Sequence, residues 1–132
     1  MAAHREQLDV PLTFEKDLQE LHFGDWEGRS AAALMETDAE ALGHFWSDPY
    51  AFTPPGAEPV IEFSTRVLSA AGRLQQHYGG ERVLVVCHGG VMKLLLAQAR
   101  GLPREQLLQV SVVNGALFSL QVRADGVLSE AG

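Results

Sequence analysis

The stretch RVLVVC at residues 82–87 is apolar without interruption from Val83 onward, and His88-Gly89-Gly90 follows it directly. A strand with one wet face alternates apolar and polar residues. A run this continuous predicts a strand covered on both faces, as in a largely parallel sheet. Such a strand needs a layer above and a layer below, and the flanking sequence supplies helices on both sides. EPVIEFSTRVLSAAGRLQQHY (58–78) repeats Val60, Phe63, Val67, Ala71, Leu74 and Tyr78 at helical spacing, with Pro59 suited to its first position and Gly79-Gly80 to its end. VMKLLLAQAR (91–100) reads as a second helix, closed by Gly101 and Pro103. Helix–strand–helix order implies an α/β layer fold with a largely parallel sheet.

The remaining segments fit around that centre. VPLTF (10–14) carries Pro11 and suits an edge strand, and residues 2–9 read as a helix end or a frayed lead-in. LQELHFGDWEGRS (18–30) is loop-like, and Ala31 to Trp46 favours one helix, ended by Pro49, Pro54, Pro55 and Gly56. Near the end, Asn114-Gly115 and Asp125-Gly126 both carry hairpin signals. We favour Asp125-Gly126 as the turn of a C-terminal antiparallel hairpin, with Asn114-Gly115 leading into its first strand.

At 132 residues the chain makes one domain with room for a core. Its net charge of −7 and the lack of a basic stripe argue against nucleic acid as a partner. The longest apolar run is broken by Lys93, so no membrane span is expected, and the first residues do not read as a signal peptide. A single cysteine, Cys87, provides no disulfide framework and suits a reducing cytoplasm. The histidines show no metal-ligand spacing, so neither metal nor cofactor is expected.

Chemistry is expected where strand gives way to helix. Gly89 and Gly90 let a ligand approach the backbone, the amides opening the following helix favour an anion, and His88 stands at that rim. On this stretch alone, a strand-end coincidence and a site residue are equally open. A thiol enzyme built on Cys87 is the weaker idea, because adjacent strand residues point to opposite faces and a small buried thiol explains Cys87 as well. Glu20, Asp25 and Glu27 cluster around Phe23 and Trp26. A carboxyl desolvated there would suit a general acid, although spacing alone favours solvated loop residues.

Taken together, LQELHFGDWEGR (18–29), PPGAEPVIEFSTRV (54–67) and VLVVCHGGVMKLLLA (83–97) resemble the histidine phosphatase superfamily, with its phosphoglycerate-mutase-like fold, and most of all its alpha-ribazole phosphatase branch, the phosphomonoesterases of cobalamin biosynthesis. The resemblance covers essentially the whole chain and implies a three-layer α/β/α arrangement around a mostly parallel sheet. It implies that Glu20 is the general acid and that His88, with Gly89 and Gly90, holds the phosphoryl group. It implies that Glu58 and Arg66 shape the substrate side and that Asn114 and Gly115 form a turn near the pocket. Ala57 and Pro59 stand where the family pattern has glycine and serine.

The family's N-terminal Arg-His-Gly, whose histidine becomes phosphorylated, has no counterpart among the 132 residues; His4-Arg5 is in the wrong order. The resemblance therefore implies one partial, N-terminally truncated domain spanning 1–132. Its substrate would be a phosphate ester of a small molecule, and its own activity would be severely impaired. It would leave an apolar sheet edge that invites homodimer pairing. The alternative is an inactive phosphate-binding or oligomerising module.

Overall fold

The computed structural model describes residues 13–113, 115 and 117–130. Among them the helices are α1 (Ala31–Thr37), α2 (Ala39–Ser47), α3 (Val60–Tyr78) and α4 (Gly89–Arg100), and the strands are β1 (Leu120–Val122) and β2 (Leu128–Glu130). Short 3-10 turns cover Lys16–Leu18, Gly24–Trp26 and Arg104–Gln109. No helix of the described residues is long and apolar enough to cross a membrane.

α3 forms where its apolar spacing predicts. Val60, Phe63, Val67, Ala70 and Ala71 are buried along one face, and Pro59 takes the N-cap rather than the first helical position. α4 buries Val91, Leu94, Leu96 and Ala97. It ends on Gly101 at φ 65, where the Gly101 and Leu102 amides turn back onto the last carbonyls. The expected helix over 31–46 divides in two at Asp38, whose backbone (φ −137, ψ 37) leaves the helical region. Leu34, Leu42 and Phe45 face inward from these two helices, and Trp26 meets Phe45 edge-on at 5.8 Å. α3 and α4 share this core, and α4 also packs against β2 and the 104–109 turn.

The hairpin forms at Asp125-Gly126, as expected. Leu120 pairs with Glu130 and Val122 with Leu128, and Gly126 sits at φ 85 with its amide on the Arg123 carbonyl. The mostly parallel sheet expected around residues 82–87 does not form among the described residues, where β1–β2 is the one sheet. Residues 82–88 carry no regular secondary structure, and their backbone pairs with no described strand. The apolar pattern demands cover, yet Leu84 is 69% and Val86 61% exposed. Residues 10–12 of the expected edge strand lie outside the described residues, and Thr13-Phe14 has no regular structure.

Candidate functional site

Apart from Asn114 and Gly115, the expected site residues fall on three segments that the fold brings together. His88 is the N-cap of α4, in extended backbone (φ −89, ψ 166), and its side chain is exposed. Gly89 and Gly90 are not a loop before a helix at 91; they are the first turn of α4 itself. Their amides are among the donors that a helix leaves without internal acceptors. One of them is taken. Glu20 Oε2 accepts the Gly90 N–H at 3.0 Å, while Glu20 Oε1 accepts from the Leu21 amide at 3.0 Å.

That contact explains the residue at position 90. A Cβ there would overlap the Glu20 carboxylate, whereas one on Gly89 would meet nothing within 4 Å. The two glycines therefore differ in purpose. Gly90 lets a side chain 70 residues away reach the helix end, and Gly89 is exposed with open space where its Cβ would be.

Glu20 is fixed from behind by Arg66. The Arg66 guanidinium forms a fork on Glu58, Nε to Oε2 at 2.7 Å and Nη2 to Oε1 at 2.9 Å. It also donates to the carbonyls of Asp17 (2.8 Å), Gln19 (2.8 Å) and Glu20 (3.1 Å). Hydrogen bonds from this guanidinium are the main reason Glu58 is held below the usual carboxylate range, against an opposing desolvation by burial. Both Glu58 carboxylate oxygens are thus engaged by Arg66. The amide of Glu58 donates to the His22 carbonyl at 2.9 Å, which zips the 20–28 segment to the 54–58 loop.

The other acids of the cluster do different work. Glu27 accepts the Phe23 amide at 2.7 Å, closing its own loop, and Asp25 is exposed. Among the described residues neither side chain is hydrogen-bonded to Glu20 or α4. Cys87 is half-buried and packed against the core; burial first, and the Glu20 charge second, push its thiol above the usual range. A raised thiol is a poor nucleophile at neutral pH, which weighs against the thiol enzyme. Among the described residues no group of His, Cys, Asp and Glu gathers as a metal site. Asn114 lies outside the described residues; Gly115, its neighbour, turns at φ 79. A shallow depression of about 350 Å³ between α2 and Phe52, lined by Asp38, Glu40 and His44, lies apart from Glu20 and His88.

A model of the histidine phosphatase superfamily (branch 1) matches residues 1–131. This chain belongs to the histidine phosphatase superfamily. This histidine phosphatase chain is 33% identical over 113 residues to the adenosylcobalamin/alpha-ribazole phosphatase of Escherichia coli strain K12, covering 86% of this chain and 56% of that protein. Among solved structures it is similar to Bacillus stearothermophilus YhfR, with TM-score 0.83 and 30% identity over 96% of this chain and 63% of that one. It is similar also to the alpha-ribazole phosphatase from Shigella flexneri, with TM-score 0.76 and 28% identity over 96% of this chain and 62% of that one. The histidine phosphatase chain spans somewhat more than half the length of the curated relatives it matches.

The sequence pattern singles out Glu20, Glu58 and Gly90, which the structure links through Arg66 and the Glu20 carboxylate, and His88, which caps the same helix. It did not show that Glu58 turns inward onto Arg66, nor that the Arg66 fork reaches the backbone of residues 17–20. Those depend on how α3 lies against a segment about 47 residues earlier.

Proposed function

We propose that this chain carries the proton-donating and phosphate-holding half of a phosphomonoesterase site that works through a phosphohistidine. The observation that carries the reading is the 3.0 Å bond between the Glu20 carboxylate and the Gly90 amide. It brings the two sequence blocks with complementary roles into one place. His88 and the open first turn of α4 would receive the phosphoryl oxygens, and their donors would stabilise its charge in the transition state. A histidine outside the 132 residues would attack phosphorus as the P–O bond to the leaving alcohol breaks, and Glu20 would give that oxygen its proton. Water would then attack the phosphohistidine, passing its proton to Glu20 and releasing phosphate and the free histidine. Alpha-ribazole phosphate, or a related sugar phosphate, is the substrate suggested by the relatives' printed names, and the single cysteine goes with a cytoplasmic location.

Phosphate-ester binding by the 132-residue chain that is lost in His88→Ala is the expected result. Turnover, lacking the histidine in this chain, is expected orders of magnitude below that of a complete site and lower still in Glu20→Gln. An ester bound equally well by His88→Ala overturns the assignment, and activity lost only in Cys87→Ser would restore the thiol reading.

The exposed row at Val83, Leu84, Val85 and Val86 belongs to the same proposal. This apolar segment has no regular structure of its own, but two copies of it could pair antiparallel about a two-fold axis, so we infer a second copy of the chain as its occupant. Sedimentation should show a concentration-dependent dimer that Leu84→Lys converts to monomer. A wild-type chain that stays monomeric would sink the dimer and leave the phosphatase reading standing.

A further inference from the structure

We propose that Arg66 is the positioning residue that keeps the Glu20 carboxylate on the Gly90 amide. The significance for catalysis rests on the reading of Glu20 given above, but the positioning itself does not. A guanidinium has five N–H donors in a rigid plane. Here all five are committed: Nε and one Nη2 hydrogen to Glu58, the other Nη2 hydrogen to the Glu20 carbonyl, and the two Nη1 hydrogens to the Asp17 and Gln19 carbonyls. No donor is left for a phosphate. Arg66 is thus committed to Glu58 and to the backbone that carries Glu20.

The direction of the effect follows from the connections. Glu20 is anchored at its carbonyl by Arg66 and at its carboxylate by Gly90, on opposite ends of the same residue. Arg66 is itself anchored twice, by Glu58 and by lying over the Phe63 ring with 4.9 Å to the centroid. Loosening the carbonyl end lets the carboxylate swing off the helix. Arg73 holds the same segment further back, on Glu15 and Asp17, and makes no bond to residues 19–20. It is the built-in comparison for a role that is merely structural.

Amide hydrogen exchange of the whole chain, read residue by residue by NMR, tests this. Gly90 lies in the first helical turn, where no carbonyl within the helix accepts its hydrogen, so its protection reports the Glu20 contact. Gly90 protection is expected to disappear in Glu20→Ala. It is expected to disappear equally in Arg66→Met and in Arg66→Lys, because an ammonium cannot reproduce the planar fork. The interior α4 amides of Leu94 and Ala97 should stay protected in the same samples, which separates a local release from unfolding. Arg73→Met should lower the melting temperature and leave Gly90 protected. Retained protection at Gly90 in either Arg66 variant overturns the proposal, as does its loss in Arg73→Met. Failure of the chain to bind a phosphate ester would instead remove the catalytic reading and leave the positioning intact.

Discussion

Gly24→Ala is expected to lose about 4 kcal/mol of folding free energy, seen as a lower urea midpoint with an unchanged slope. Two costs combine. Gly24 sits at φ 59, in the left-handed region, where a side chain is strained by about 1–3 kcal/mol. Its Cβ would also overlap the backbone of Pro55, Gly56 and Ala57, and overpacking against backbone costs about 1–3 kcal/mol more because those atoms have nowhere to go. This is the crossing point of two loops. The Asp25 amide donates to the Pro55 carbonyl at 2.9 Å, and the Glu58 amide to the His22 carbonyl at 2.9 Å. Forcing the loops apart there withdraws Glu58 from Arg66, so the damage reaches Glu20. Gly28→Ala is the control: Gly28 is also left-handed, at φ 75, but its Cβ would meet nothing within 4 Å. Only the strain applies, and a loss of about 1–2 kcal/mol is expected. Equal losses at the two glycines would show that the close approach at Gly24 contributes nothing.

The same crossing shows why some of the molecule was readable in the sequence and some was not. α3 was legible almost to the residue because its burial repeats with the period of the helix and its ends carry Pro59 and Gly79. α4 begins two residues earlier than read, since Gly89 and Gly90 look like breakers when only propensity is considered. Position 90 is glycine for a tertiary reason, the Glu20 carboxylate lying where a Cβ would be. The division at Asp38 was hidden for a similar cause. The Asp38 side chain is engaged by Arg29 and Thr37, and no proline or glycine marks the spot. Residues 82–87 have the composition of a doubly covered strand, but pairing needs a neighbour, and none of the described residues supplies one. Composition reports what a segment needs; only the rest of the fold shows what it receives.

The site follows the same division. The residue types at Glu20, Glu58, His88 and Gly90 could be named from motif and chemistry. The arrangement of Arg66 could not, because a fork onto three carbonyls leaves no residue pattern at its acceptor end. Backbone oxygens are the same at every position. Sequence reading therefore finds candidate ligand-facing groups more readily than the residues that hold their backbone in place.

Phe63→Ala should produce the largest loss within the core, about 3–5 kcal/mol, and the way that loss divides is informative. Phe63 is 1% exposed, on the inner face of α3, and its ring also carries the Arg66 guanidinium at 4.9 Å. A cation over an aromatic face contributes about 0.5–2 kcal/mol. The cavity left by the ring is the larger effect, so most of the loss should persist when Arg66 is already absent. A double-mutant cycle of Phe63→Ala with Arg66→Met, measured by urea unfolding, should give a coupling of about 1 kcal/mol. Phe63→Leu, which keeps most of the volume and removes the ring, should cost about 1–1.5 kcal/mol. A coupling near the full cost of Phe63→Ala would mean that the ring matters chiefly as a seat for Arg66. A coupling of zero would mean that the five hydrogen bonds hold the guanidinium unaided, with the ring beneath it serving only the core.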